Sequence, residues 1–186
     1  MTGSPIRISG NTWMNERPTG VRGGRIRLEK YREEDRSLYS QLVFSEETMN
    51  MNFGRVFTEE EAGMFFQAIL DINASDPELG FYKVFVTREN RDVCIGMGAL
   101  TRNDEYDAAE IEYMLLPQYW NRGYGSELVG ILIQMAADAR VSSRIVALTD
   151  PSNLYSKRIL LKYGFGFVKR YLNDDKEPVE LYLIKI

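Results

Sequence analysis

A glycine-rich loop between a strand pattern and a long helix constrains this chain more than any other feature. Residues 108–116 alternate apolar and polar side chains, and an Arg-Gly-Tyr-Gly run at 122–125 follows a short turn. An apolar-periodic helix is then predicted from Ser126 to Arg140, and a buried strand from Arg144 to Thr149. Because a helix of about 15 residues connects the two strands, they are expected to lie parallel in one sheet.

The chemistry of this loop favours an anion. A glycine loop that opens a helix presents unpaired N–H groups at the positive end of the helix dipole, and such a site attracts phosphate. A P-loop is excluded because no Lys-Ser or Lys-Thr pair follows the glycines, and Leu128 stands where a Rossmann fingerprint needs its third glycine. Ordinary turn chemistry is the competing interpretation, because glycine accepts a positive φ at little cost.

The segments before the loop predict one strand, two helices and an antiparallel meander. A strand is predicted at about Arg25–Tyr31, and a helix follows from Glu33, where acidic residues suit the helix dipole. Thr58 and Glu61 form a capping-box pattern that starts a second helix. Its predicted core-facing stripe consists of Met64, Phe65, Ala68, Ile69 and Ile72. Strand patterns then span residues 81–87, 93–102 and 108–116, with turn signals between them.

The segments after the loop complete a mixed sheet. A helix is predicted from about Ser152 to Tyr163, with Gly164 as its C-cap, and two strands follow at Phe165–Leu172 and Val179–Ile186. The order of elements is therefore β-α-α-β-β-β-α-β-α-β-β. The predicted fold class is α/β (α+β), a mixed and mostly antiparallel central sheet with flanking helices.

The composition removes several kinds of chemistry. No histidine occurs among the 186 residues, so proton transfer must fall to Glu, Asp, Tyr, Lys or water, and we predict no metal site. The single cysteine, Cys94, excludes an intrachain disulfide and fits a reducing compartment. A net charge of −4 argues against a nucleic-acid partner, and no apolar run is long enough to span a bilayer. We expect a cytoplasmic protein that binds neither nucleic acid nor membrane.

The chain divides into an arm and one domain. Residues 1–24 are rich in Gly, Pro, Arg, Ser and Thr with little periodicity, which predicts an arm that is either loose or packed against a partner. Residues 25–186 predict a single domain. The arm, which carries Trp13, and extra sheet edges would suit a homodimer, and a monomer stays open.

Three local patterns resemble the GNAT superfamily of acetyl-CoA-dependent N-acetyltransferases over residues 25–186. The run from Trp120 to Gly125 is similar to the family's Q/R-x-x-G-x-G/A signature, with Trp120 in place of Gln or Arg, and Tyr119-Trp120 resembles the RimJ/RimL-type branch. Glu110 stands on the preceding strand, where family members often carry a catalytic glutamate. The segment from Asn153 through Ser156 to the Lys-Tyr-Gly-Phe run at 162–165 is similar to the family's N-x-x-S/A…K-x-G-F segment.

The resemblance implies a GNAT-like fold and acetyl-CoA as co-substrate. The two parallel strands are expected to splay where Pro117 ends one of them, so that a pantetheine arm can bind strand backbone between them. The pyrophosphate is expected on backbone N–H groups of residues 122–126. The implied cofactor-binding residues are Leu115, Leu116, Arg122, Gly123, Tyr124, Gly125, Ser126, Asn153 and Ser156. For Asn153, helix capping is an equally good interpretation, and the two roles are compatible.

The implied reaction is direct attack of a neutral amine on the thioester. Glu110 is the preferred base, and Glu112 lies two residues on, hence on the same strand face. Two nearby carboxylates on a partly buried face raise one pKa, although Glu112 is equally well a solvated strand residue or the partner of a lysine. Backbone N–H near Leu115 or Leu116 would stabilise the oxyanion. The tyrosine that many members place near the leaving group corresponds to Leu160, which makes Ser156 the candidate acid.

The acceptor is left open by the sequence. A small-molecule amine and a protein N-terminus both suit the reaction. Two other functions on the same fold also stay open: a non-catalytic acetyl-CoA sensor, and a protein-interaction module that uses the arm.

Overall fold

The computed structural model describes residues 20–22, 24–174 and 176–186. Residues 1–19 of the predicted arm, Trp13 included, lie outside the described residues. Residues 20–22 of that arm form a short strand that pairs with the next one, so this end of the arm belongs to the sheet.

One mixed sheet of eight strands organises the described chain. The strands are β1 (Gly20–Arg22), β2 (Ile26–Lys30), β3 (Gly80–Arg88), β4 (Arg91–Asn103), β5 (Ala108–Leu115), β6 (Arg144–Thr149), β7 (Gly166–Leu172) and β8 (Pro178–Lys185). Their order in the sheet is β1-β2-β3-β4-β5-β6-β8-β7. All neighbours are antiparallel except β5 and β6, which are parallel as the intervening helix predicted. The predicted fold class is confirmed.

Five α-helices flank this sheet in the described chain. They are α1 (Arg36–Val43), α2 (Glu46–Asn50), α3 (Glu59–Ser75), α4 (Tyr124–Ala139) and α5 (Leu154–Lys162). The short α2 was not predicted, because Ser45 interrupts one expected helix by accepting a capping hydrogen bond from Thr48. The predicted capping box of Thr58 and Glu61 is present at the start of α3. None of the helices in the described part of the chain is long and apolar enough to cross a membrane.

The predicted core stripe of α3 is wrong for most of its members. Ile69 is buried, but Met64 is 68% exposed and Phe65 is 49% exposed. The buried face is instead formed by Ala62, Phe66 and Ile69, at the i, i+4, i+7 spacing of a helix face. The error arose because α3 is apolar on two sides, so its periodicity did not identify the buried one.

The two parallel strands separate soon after they meet. Pairing joins Ala109 to Ile145 and Glu110 to Val146. β5 then stays with β4 as far as Leu115, and β6 stays with β8 as far as Thr149. Because each strand follows its own antiparallel partner in a twisted sheet, a gap opens between them. The separation thus begins at Glu110, seven positions before the predicted Pro117.

Candidate active site

The loop before α4 presents free amides, as the glycine pattern predicted. Gly123 has a φ of +82° and caps the helix, which begins at Tyr124 rather than at the predicted Ser126. The first hydrogen bond of this helix runs from the Glu127 amide to the Gly123 carbonyl at 3.1 Å. The amides of Tyr124, Gly125 and Ser126 therefore precede the helical hydrogen-bond pattern and point out of the helix end. This is the geometry of an anion site.

Arg25, which lies just before β2, fixes this loop through hydrogen bonds to Arg122 and Glu127. Its Nη1 donates to the Arg122 carbonyl at 3.0 Å, and its Nε donates to Glu127 at 2.9 Å. Its guanidinium also lies 4.7 Å from the centre of the Tyr124 ring. Burial alone would raise the pKa of Glu127, but hydrogen bonds from Arg25 and the Ile26 amide lower it, so the carboxylate stays charged. Arg25 thereby joins the first residues of the domain to the predicted phosphate loop.

A cavity of about 330 Å³ extends from this loop to the last residues of β5, beyond their pairing with β6, and to the start of α5. Of the predicted cofactor-binding residues, seven line it: Leu115, Gly123, Tyr124, Gly125, Ser126, Asn153 and Ser156. Two predicted residues do not: Leu116 is buried, and Arg122 is an exposed side chain whose carbonyl is held by Arg25. Sequence reasoning missed other lining residues, among them Met51 just after α2, Tyr113 on β5 and Arg158 on α5.

Gly125 keeps the space between loop and strand open. A Cβ at this position would lie 3.2 Å from the Ile159 Cδ1 atom and 3.9 Å from the Leu115 Cδ1 atom. Both neighbours line the cavity, so a larger side chain at Gly125 would fill the channel that connects the amides to the strand. An elongated ligand with a phosphate at one end fits this arrangement.

The end of β5 offers the backbone amide of Leu115 to the gap. The Leu116 amide donates to the Ile95 carbonyl at 2.9 Å and is thus not free to bind a ligand. Because successive strand residues direct their N–H groups to opposite edges, the Leu115 amide faces the gap. The Leu115 carbonyl accepts a hydrogen bond of 2.7 Å from the Trp120 indole. Trp120 therefore ties the predicted cofactor loop to the strand end.

The start of α5 forms the opposite wall. Asn153 caps the helix by accepting from the Ser156 amide at 3.1 Å, and its Nδ2 donates to the Met51 carbonyl at 3.3 Å. Capping, the alternative that the sequence left open, is realised, while Asn153 also lines the cavity. Gly164 has the left-handed φ of +85° expected of a residue that ends this helix.

A tyrosine from β5 lies next to Ser156. The Tyr113 hydroxyl and the Ser156 Oγ are 2.7 Å apart, and both residues line the cavity. Burial raises the pKa of Tyr113 to about 12, although the hydrogen bond with Ser156 opposes the rise, so the phenol is protonated at neutral pH. Leu160, which occupies the family's tyrosine position, is fully buried. The sequence signal for Tyr113 was its position on the face of β5 opposite to the two glutamates.

Glu110 and Glu112 lie on the other face of β5. They share that face with Met114, which pairs with Met97, and Met97 in turn pairs with Lys83. Lys83 bonds Asp35 just before α1, so the glutamates face the α1 side, whereas Tyr113 faces α4 and α5. The structure therefore brings the two glutamates together, as predicted, but places Ser156 on the opposite side of the strand. Neither glutamate lines the cavity.

The two glutamates have different surroundings. Glu110 accepts a hydrogen bond of 2.7 Å from Asn103; burial raises its pKa, and this hydrogen bond opposes the rise. Glu112 is half-buried and accepts no hydrogen bond from any described residue, and burial together with the charge of Glu110 raises its pKa to about 7. Glu112 is thus the carboxyl group best matched to proton transfer near neutral pH.

Splayed parallel strands beside a helix end with free amides are typical of a class of protein, the acyltransferases of the GNAT fold. A family model, the acetyltransferase (GNAT) domain, matches residues 25–166, and the chain belongs to that family. The resemblance inferred from the sequence is thereby confirmed.

Similar proteins support the same assignment. An uncharacterized N-acetyltransferase of Bacillus subtilis (strain 168), YoaA, is 32% identical over 95 residues, which are 50% of this chain and 52% of that protein, so the match spans about half of the relative. A GNAT-family acetyltransferase structure from Bacillus anthracis has a TM-score of 0.72 at 22% identity, covering 89% of this chain and 98% of that one. The RimL ribosomal-protein alpha-N-acetyltransferase in complex with coenzyme A has a TM-score of 0.71 at 20% identity, covering 88% and 96%. These two likenesses show the fold.

Proposed function

We propose that this protein is an acetyl-CoA-dependent N-acetyltransferase that transfers an acetyl group to a primary amine. The observation that carries the proposal is the cavity that joins the free amides of α4 to the end of β5 that no longer pairs with β6. The similar RimL structure holds coenzyme A, which supports the choice of ligand. When bound, acetyl-CoA supplies an acyl thioester whose thiolate leaves readily, since a thiol pKa is ~8.5.

The residues at the loop and the strand would bind and orient the co-substrate. The amides of Tyr124, Gly125 and Ser126 would hold the pyrophosphate, and the Leu115 amide would hydrogen-bond the pantetheine arm or the thioester oxygen. The Leu116 amide is engaged with the Ile95 carbonyl, which leaves Leu115 as the better of the two predicted oxyanion donors. Arg158, an exposed residue at the cavity wall, would pair with a phosphate.

We assign the base to Glu112 in preference to Glu110. An ammonium must lose a proton before the amine can attack, and the best base has a pKa near the working pH. Glu112 has that pKa and no described hydrogen-bond partner, whereas Glu110 is held by Asn103. Glu110 then acts on Glu112 through its charge, which is one cause of the raised pKa of Glu112.

The first test is binding. If acetyl-CoA at 100 times its Kd binds only the folded protein, it adds about 2.7 kcal/mol of stability, which corresponds to about 5–10 °C in Tm for a chain of this size. Gly125→Val should abolish the shift because its side chain fills the channel beside Ile159. Gly63→Val is the matched control, since Gly63 lies on α3 and a Cβ there meets only the flexible Arg36 side chain. Absence of any shift at millimolar acetyl-CoA would rule out the proposal.

The second test is turnover. CoA release should appear when wild-type protein and acetyl-CoA are mixed with a panel of amines that includes diamines, amino sugars and peptide N-termini. Glu112→Gln should lower kcat by about 10²–10⁴-fold, the usual contribution of a general base. It should leave the acetyl-CoA thermal shift intact, because Glu112 does not line the cavity. A variant with full activity would exclude Glu112 as the base.

A further inference from the structure

The family's tyrosine position is filled here by a leucine that cannot take its place. Leu160 is fully buried in the core, so no hydroxyl reaches the cavity from that turn of α5. Ser156 is one turn earlier and does line the cavity. A serine hydroxyl alone stabilises a developing negative charge only weakly, because the hydroxyl rotates freely and can donate to other acceptors instead.

The structure supplies a second hydroxyl from another element. Tyr113 belongs to β5, and its OH lies 2.7 Å from the Ser156 Oγ; both residues line the cavity. The two hydroxyls carry two hydrogens, of which one is consumed by their mutual bond. One hydrogen therefore remains to be donated by the pair, whichever of the two oxygens makes the mutual bond.

We infer that Tyr113 is a positioning residue for the leaving group, and that Tyr113 and Ser156 act as one hydrogen-bond donor toward the departing thiolate. This inference rests on the proposed acetyl transfer. When the C–S bond breaks, its electron pair goes to sulfur, and the spare hydroxyl hydrogen of the pair stabilises that charge without leaving its oxygen. Burial of the phenol keeps Tyr113 protonated throughout the working pH range.

Product binding tests this inference without turnover. CoA affinity is measured by calorimetry from pH 7 to pH 9.5, and desulfo-CoA, which lacks the thiol, serves as the reference ligand. The wild-type protein should bind CoA about tenfold more tightly relative to desulfo-CoA once the thiol ionises near ~8.5, the usual effect of a hydrogen bond to a charged group. Tyr113→Phe and Ser156→Ala should each remove this gain and leave desulfo-CoA affinity unchanged.

Two kinetic results follow from the same unit. Tyr113→Phe should lower kcat while the KM for acetyl-CoA changes less than twofold. The double variant Tyr113→Phe/Ser156→Ala should lose no more activity than the worse single variant, because removing either hydroxyl already breaks the pair. Tyr82→Phe is the matched control: Tyr82 is a buried tyrosine whose OH donates to the Glu78 carbonyl, away from the cavity.

The outcomes separate this inference from the proposed function. An active wild-type protein whose Tyr113→Phe variant keeps its kcat and its pH-dependent CoA affinity overturns the role of Tyr113 alone. Strictly additive losses in the double variant would also overturn the single-donor unit. A wild-type protein that binds CoA but transfers acetyl to no amine refutes the transferase, and the calorimetric comparison still decides whether the pair binds a thiolate.

Discussion

The raised pKa of Glu112 has a consequence for stability that needs no knowledge of the acceptor. Burial and the charge of Glu110 raise the pKa of Glu112 from 4.5 to about 7 in the folded protein. An acid whose pKa is raised by folding is more easily ionised in the unfolded chain. The contribution of Glu112 to the free energy of unfolding is therefore fully present below its pKa in the unfolded chain. It is lost as the pH rises through its pKa in the folded protein.

The size of this effect follows from the two pKa values. Ionisation of Glu112 lowers the free energy of unfolding by about 0.8 kcal/mol at pH 5 and by about 3.3 kcal/mol at pH 8, relative to a neutral side chain. Glu112→Gln places a neutral side chain of nearly the same shape at this position. The free energy of unfolding of this variant, taken relative to the wild-type protein, should therefore be about 2.5 kcal/mol larger at pH 8 than at pH 5.

Urea unfolding at the two pH values measures this gain. The wild-type protein and Glu112→Gln are compared at pH 5 and pH 8, with Glu60→Gln as a control because Glu60 is exposed on α3. The control should show the same difference from the wild type at both pH values. If Glu112→Gln also shows a constant difference, within about 0.5 kcal/mol, the pKa of Glu112 is not raised and its assignment as the base loses its main support.

Three further predictions concern the framework of the site. Lys83→Met should lower the free energy of unfolding by about 3–5 kcal/mol, because it removes the ion-pair partner of the buried Asp35 carboxylate; Lys83→Met/Asp35→Leu should recover most of this loss in urea titrations. Trp120→Phe should weaken acetyl-CoA binding about fivefold by calorimetry, since the Leu115 carbonyl loses its 2.7 Å hydrogen bond, and unchanged binding would show that this hydrogen bond does not position the strand end for the ligand. Burial opposes ionisation of Glu180, but its three hydrogen bonds lower its pKa to about 2, so its contribution is present above pH ~4.5 and fades as the pH falls. Glu180→Gln should accordingly lose about 2 kcal/mol at pH 7 and much less near pH 2.5, and an equal loss at both would refute the shift.

The sequence was informative where one physical requirement dominated. A helix between two strand patterns required a parallel pair, and a glycine loop before that helix required free amides; both are present at β5, β6 and α4. The capping box at Thr58 and the C-cap at Gly164 were also predicted, because each depends on residues within a few positions of one another.

The sequence was uninformative where contacts join distant segments. Nothing local in the chain indicates that Arg25 holds Glu127, or that Tyr113 meets Ser156, which lies 43 positions away. The buried side of α3 was mistaken for the same reason, since a helix with two apolar sides is oriented only by what it packs against. The pKa of Glu112 likewise depends on burial, which β5 acquires only within the complete sheet.

The splay of β5 and β6 explains how groups on two faces of one strand can serve one reaction. Glu112 faces the α1 side, and the Tyr113–Ser156 pair faces α4 and α5, so an intact sheet would separate the proposed base from the proposed leaving-group donor. Because pairing with β6 ends at Glu110, the edge of β5 from 111 to 115 is open between the two faces. A thioester bound at that edge of β5 would be accessible to an amine from the α1 side of the sheet. The hydroxyl groups of Tyr113 and Ser156 would reach it from the opposite side. The proposed mechanism therefore predicts that restored strand pairing beyond Glu110 would abolish acetyl transfer even if every named side chain were kept.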